Sequence, residues 1–96
     1  MNREITFSTH AKVQAQRRGI DSSVVNYAVE FGKRVYAGGG SMRYYFDKKA
    51  RYRLQKELPC NLFAQIEKQL NCFVILAEEH EVVITVGHQY KKVMIR

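Results

Sequence analysis

The 96-residue sequence has no tryptophan, one proline, two cysteines and three histidines, and its longest apolar run, residues 72–77, is six residues. A membrane-spanning helix requires roughly 20 apolar residues, so no such span is expected. The start, Met1-Asn2-Arg3-Glu4-Ile5, lacks the apolar core of a cleavable leader, which points to a cytoplasmic protein. In that compartment Cys60 and Cys72 are expected to be reduced thiols that pack rather than pair. Neither they nor the histidines show metal-ligand spacing, and there is no phosphate-binding glycine loop, nucleophile elbow or acidic metal cluster. No metal or cofactor is therefore expected. Any catalysis would have to be acid/base and electrostatic.

Acidic residues are also scarce: 9 against 16 lysines and arginines, for a net charge of +7. The imbalance is local. Residues 1–56 carry 12 basic and 4 acidic side chains, or +8, whereas residues 57–96 carry 4 and 5, or −1. A field of this kind attracts polyanions, of which phosphate backbones are the commonest in a cell. With 46% apolar residues and no low-complexity stretch, the chain reads as one folded domain over residues 1–96, with a single modest core.

Ile5 and Phe7 alternate before Ser8-Thr9, a pair of good N-cap residues, so a short strand or extended arm should lead into a helix over 10–18 that stops at Gly19. Asp21 caps a second helix over 22–31, with Val24, Ala28 and Phe31 on one stripe. These two helices are expected to pack as an α-hairpin on a sheet. Strands over 33–37 and 41–47 flank Gly38-Gly39-Gly40, with Met42, Tyr44 and Phe46 on one face and Arg43 and Tyr45 on the other. Residues 47–50 read as a turn and 51–54 as a brief strand with Tyr52 and Leu54 inward. Pro59 opens a helix over 60–70. Strands over 72–77 and 81–86 follow across a polar turn, and Val93-Met94-Ile95 can add an edge strand. The expected class is α+β: an N-terminal α-hairpin on a four- to five-stranded curved antiparallel sheet, with an extra helix inserted near 59–70.

Three groups of residues could carry chemistry. On the first helix His10, Gln14 and Arg17 share a stripe with Arg18 at its margin, which joins an imidazole to guanidinium groups; His10 equally suits capping or packing against Phe7. At the end of the last long strand, His88, Tyr90, Lys91 and Lys92 offer a proton carrier, a stacking ring and phosphate-binding charge, or else a solvated edge. In the middle strands Arg43, Tyr45, Arg51 and Arg53 interleave cations with an aromatic, as phosphate contact with base stacking needs and as ordinary exposed strands also do.

His10-Ala11-x-x-Gln14-Ala15-x-x-Arg18-Gly19-Ile20 resembles the opening motif of the small bacterial domain of unknown function four-two-five-eight family, with Gln14 where that family has Arg. Val82-Val83-Ile84-Thr85-Val86 resembles its closing strand, and Gly87-His88-Gln89 is similar to the Gly-His-Arg close of RelE/ParE-type toxins. The resemblance implies a RelE-like fold and a toxin-like, metal-independent ribonuclease or ribonuclease-derived RNA-binding domain. In that reading His10 and His88 exchange the protons while Arg18, with Arg17 or Arg43, stabilises the phosphorane. It further implies RNA, free or ribosome-associated, and an acidic antitoxin as partners. A non-catalytic nucleic-acid- or protein-binding module on the same fold is the alternative.

Overall fold

The computed structural model describes residues 5–89, and within them the chain forms five strands, four α-helices and one 3-10 turn. A two-residue strand β1 (Thr6–Phe7) runs directly into α1 (Thr9–Arg17), because Ser8 accepts from the Ala11 amide and fixes the first turn. α2 (Ser22–Phe31) leads into β2 (Lys33–Gly38) and β3 (Ser41–Tyr45). The loop between these strands needs left-handed backbone, and Gly39 and Gly40 supply it with φ of 60° and 78°. α3 (Lys48–Glu57), α4 (Cys60–Ile66) and the 3-10 turn Glu67–Gln69 then cross to β4 (Cys72–Ala77) and β5 (Val82–His88).

The sheet order is β1-β5-β4-β3-β2. β1 runs parallel to β5, so the sheet is not wholly antiparallel, and all other pairs are. Helices lie against one face: α1 on β5 and β1, and α2 on β3, β4 and α3. The first two helices are thus organised chiefly by the sheet rather than as a self-paired hairpin. The core fills the space between, with Val24, Val25 and Ala28 of α2, Leu54 of α3, Leu70, and the inward residues Tyr44, Val74, Leu76, Val83 and Val86. Along β4 burial alternates strictly, so its odd-numbered residues face away from the helices.

Three further expectations need correction. Residues 51–54 are not a strand but the middle of α3. Asp47 caps that helix, its carboxylate accepting from the Ala50 amide at 2.8 Å, and Ala50 and Leu54 are buried one turn apart while Tyr52 is 62% exposed. The helix expected over 60–70 ends at Ile66 and passes into the 3-10 turn, and it buries Phe63 and Ile66. Cys72 is packed in the core, but Cys60 is exposed, and both thiols are free. The strand expected at 93–95 lies outside the described residues.

Candidate functional site

The face of the sheet turned away from the helices is where the middle-strand arginine and aromatics collect. Arg43 and Tyr45 of β3 stand next to Phe73 and Ile75 of β4, through the pairs Tyr45–Phe73 and Arg43–Ile75, and Phe73 stands opposite Gly87 of β5. Gly87 is needed there. A Cβ at this position would sit 2.7 Å from Phe73 Cε1, so only a bare α-carbon lets the ring lie across the strand.

Arg43 then reaches diagonally over that ring. Its Cζ is 4.6 Å from the Phe73 centroid and 6.0 Å from that of Tyr45, distances at which the ring quadrupoles attract the cation. One terminal nitrogen donates to Gln89 Oε1 at 2.9 Å, while Nε is buried with no hydrogen-bond partner. The amide of Gln89 donates to the Asn71 carbonyl at 2.9 Å, and the Asn71 side-chain oxygen accepts from Arg51 of α3. Arg51, Asn71, Gln89 and Arg43 therefore form one continuous chain at the C-terminal end of β5.

The acceptors in this chain are amides. A carboxylate would hold a guanidinium as well but would neutralise it, whereas Gln89 and Asn71 orient both arginines and leave their charges whole. Arg34 offers the contrast: on the outer strand it forms an ion pair with Glu78 at 3.3 Å, and Glu78 also accepts from the Tyr44 hydroxyl at 2.9 Å.

α1 adds a second source of charge. It is tied to β5 twice, by the Ser8 amide donating to the Val83 carbonyl at 2.9 Å and by Gln14 Oε1 accepting from the Val86 amide at 2.9 Å. Ala11 and Ala15, both buried, allow this close approach. Counting about 1.5 Å per helical residue and about 3.3 Å per strand residue from these ties, Arg17 and Arg18 come level with His88, whereas His10 falls about 13 Å behind it.

Of the residues singled out from the sequence, Arg43, Tyr45 and Arg51 come together beside the end of β5, and by the residue counting above Arg17 and Arg18 come level with His88 on the helix-bearing side. Arg17, Arg18 and His88 are exposed, while Arg43, Tyr45 and Arg51 are half-buried. His88 stands opposite Cys72 and so lies on the helix-bearing side of the sheet, across from Arg43. His10 is exposed in the first turn of α1. Gln14 is occupied in completing the β5 edge beyond the end of β1. Tyr90, Lys91 and Lys92 lie outside the described residues.

Sequence reasoning missed Phe73 and Asn71, whose parts depend on cross-strand register. Burial raises the Cys72 thiol to about 11, against a smaller opposing pull from the Arg51 charge. Among the described residues no cluster of three histidine, cysteine or acidic side chains could hold a metal, and no helix is long and apolar enough to cross a membrane.

A model of the family described as Domain of unknown function (DUF4258) matches residues 7–88. No curated protein and no solved structure matches the chain.

Proposed function

The chain belongs to the DUF4258 family, whose description assigns no activity, and from the geometry of its own residues we propose that it is an RNA-binding domain of the ribonuclease-derived, RelE-like kind. The observation that carries this reading is Arg43, stacked on Phe73 and held by the Gln89 amide at 2.9 Å with its charge uncompensated. A half-buried guanidinium kept in a fixed pose by neutral partners is preorganised for an anion, and Arg51 repeats the arrangement through Asn71. Arg17 and Arg18 extend the positive field past the strand end, so the contact suits a chain of phosphates better than one.

The two-histidine cleavage scheme has less support. A general acid and base acting on one phosphodiester must each bring a ring nitrogen within about 3 Å of it, and by the same residue counting the backbone of His10 on α1 stands about 13 Å from the level of His88, a span both rings would have to close. The basic face is instead a binding surface, for which an acidic protein segment would compete with RNA. The test is to incubate the protein with a labelled RNA at low salt while following both binding and strand length. The reading expects bound, intact RNA. Absence of binding overturns it, and cleavage abolished by both His10→Ala and His88→Ala would restore the ribonuclease reading.

A further inference from the structure

We infer that the open face of the sheet stacks unpaired bases, so that the RNA held by this site is single-stranded; this rests on the RNA-binding reading and makes it more specific. The odd-numbered residues of β2 to β4 place Lys33, Val35, Arg43, Tyr45, Phe73, Ile75 and Ala77 on this face through their register, joined by Thr85 and Gly87 of β5. No carboxylate is among them. The surface is thus apolar and aromatic with Arg43 set among its apolar side chains and Lys33 on the outer strand, a different object from a uniformly basic stripe.

The distinction matters because a duplex hides the faces of its bases. Double-stranded RNA presents phosphates and 2′-hydroxyls to a protein, which a stripe of charge can read without aromatics. Single strands expose π-faces, and those are what Tyr45 and the outer side of Arg43 can meet. Phe73 backs Arg43 from below and Gly87 seats Phe73, so three layers are already stacked. A base laid on the guanidinium plane would add a fourth, with its neighbour against Tyr45, which is half-buried and 6.0 Å from Arg43. Val35, 39% exposed on the adjacent strand, continues the apolar floor. The phosphates between those bases would then pass the Arg43 and Arg51 end of the platform.

The experiment uses the full chain and one RNA oligonucleotide carrying 2-aminopurine, offered alone and annealed to its complement. The single strand is expected to bind at least about tenfold more tightly, and its fluorescence to be quenched on binding as the analogue stacks. Tyr45→Leu should weaken the single-strand complex by about 5- to 100-fold and lessen the quench without changing the salt dependence. Tyr45→Phe, which keeps the ring, should bind as the parent does, and that separates loss of stacking from loss of fold. Equal affinity for duplex and single strand, with Tyr45→Leu neutral, overturns the inference while leaving RNA binding intact. No binding of either form instead overturns the reading beneath it.

Discussion

Replacing Gln89 with Glu exchanges the side-chain amide for a carboxylate of the same shape, and it should move stability and binding in opposite directions. Gln89 Oε1 accepts from Arg43 at 2.9 Å, so a carboxylate there would form a half-buried ion pair. With the charge centres about 4 Å apart, the gross attraction at a surface-like dielectric of about 20 is about 4 kcal/mol. Desolvation and ordering offset most of that, and exposed pairs retain about 0.2–1 kcal/mol. Gln89→Glu should therefore melt at the same temperature or slightly higher. Its RNA affinity should fall about tenfold at low salt, since one phosphate-binding charge is neutralised and a negative group is added beside the backbone. Thermal unfolding and fluorescence anisotropy on the same sample read the two effects. Unchanged or tighter RNA binding would refute the argument that the amide acceptor keeps Arg43 available, and a joint loss of stability and binding would show that Gln89 serves the fold alone. Gln89→Ala, which loosens Arg43 but keeps its charge, should weaken binding less than the glutamate does.

Three other outcomes follow from specific contacts. Gly87→Ala forces the Phe73 ring away from the strand, so it should cost about 1–3 kcal/mol of stability and weaken RNA binding; normal values of both in melting and anisotropy assays would contradict the stacked arrangement. Gln14→Ala leaves the Val86 amide without its acceptor and should destabilise by about 1–3 kcal/mol, whereas Gln14→Glu keeps an acceptor and should restore most of the loss, read by chemical denaturation. The Cys72 thiol holds its proton up to about 11 when folded, against an ordinary 9.0. Its contribution is thus complete below pH 9 and lost as pH rises through 11, so the stability difference between the parent and Cys72→Ala should narrow by roughly 2–3 kcal/mol over that range; a constant difference would show that the buried thiol does not resist ionisation.

Much of the architecture was legible because local signals and packing agree. Ser8 and the glycines after each helix delimit α1 and α2, Asp21 stands at the start of α2 with its carboxylate bound to Gln69 rather than to the helix, and the six-residue apolar run is β4 itself. α3 is hidden in the sequence because Arg51 to Leu54 alternates basic and apolar residues, which imitates a strand, while Asp47-Lys48-Lys49 looks like turn chemistry. The same aspartate is a helix cap, and the spacing of Ala50 to Leu54 was the signal that could have revealed it. The site is harder to read for a topological reason. The register between β4 and β5 shifts at Ile75/Leu76, pairing Ile75 with Thr85 and Leu76 with Val83, so Ile84 is an extra residue. That bulge turns both Val83 and Val86 inward and reverses the face of every residue beyond it. Plain alternation would put His88 and Gln89 on the wrong sides of the sheet, and only the bulge sets Gln89 on the open face beside Arg43. Phe73 and Asn71 have no motif of their own; what they do is set by Gly87 and Gln89 across the strand.

The most direct test of the central claim, that Arg43 is an uncompensated charge committed to a phosphate, is the salt dependence of single-stranded RNA binding by the parent protein and by Arg43→Ala. Each phosphate contact to a single strand contributes about 0.7 to the slope of log affinity against log salt. The account predicts that the slope for Arg43→Ala is shallower by about 0.7, with the two lines converging at high salt. Parallel lines would contradict it, because they would mean that Arg43 touches no phosphate.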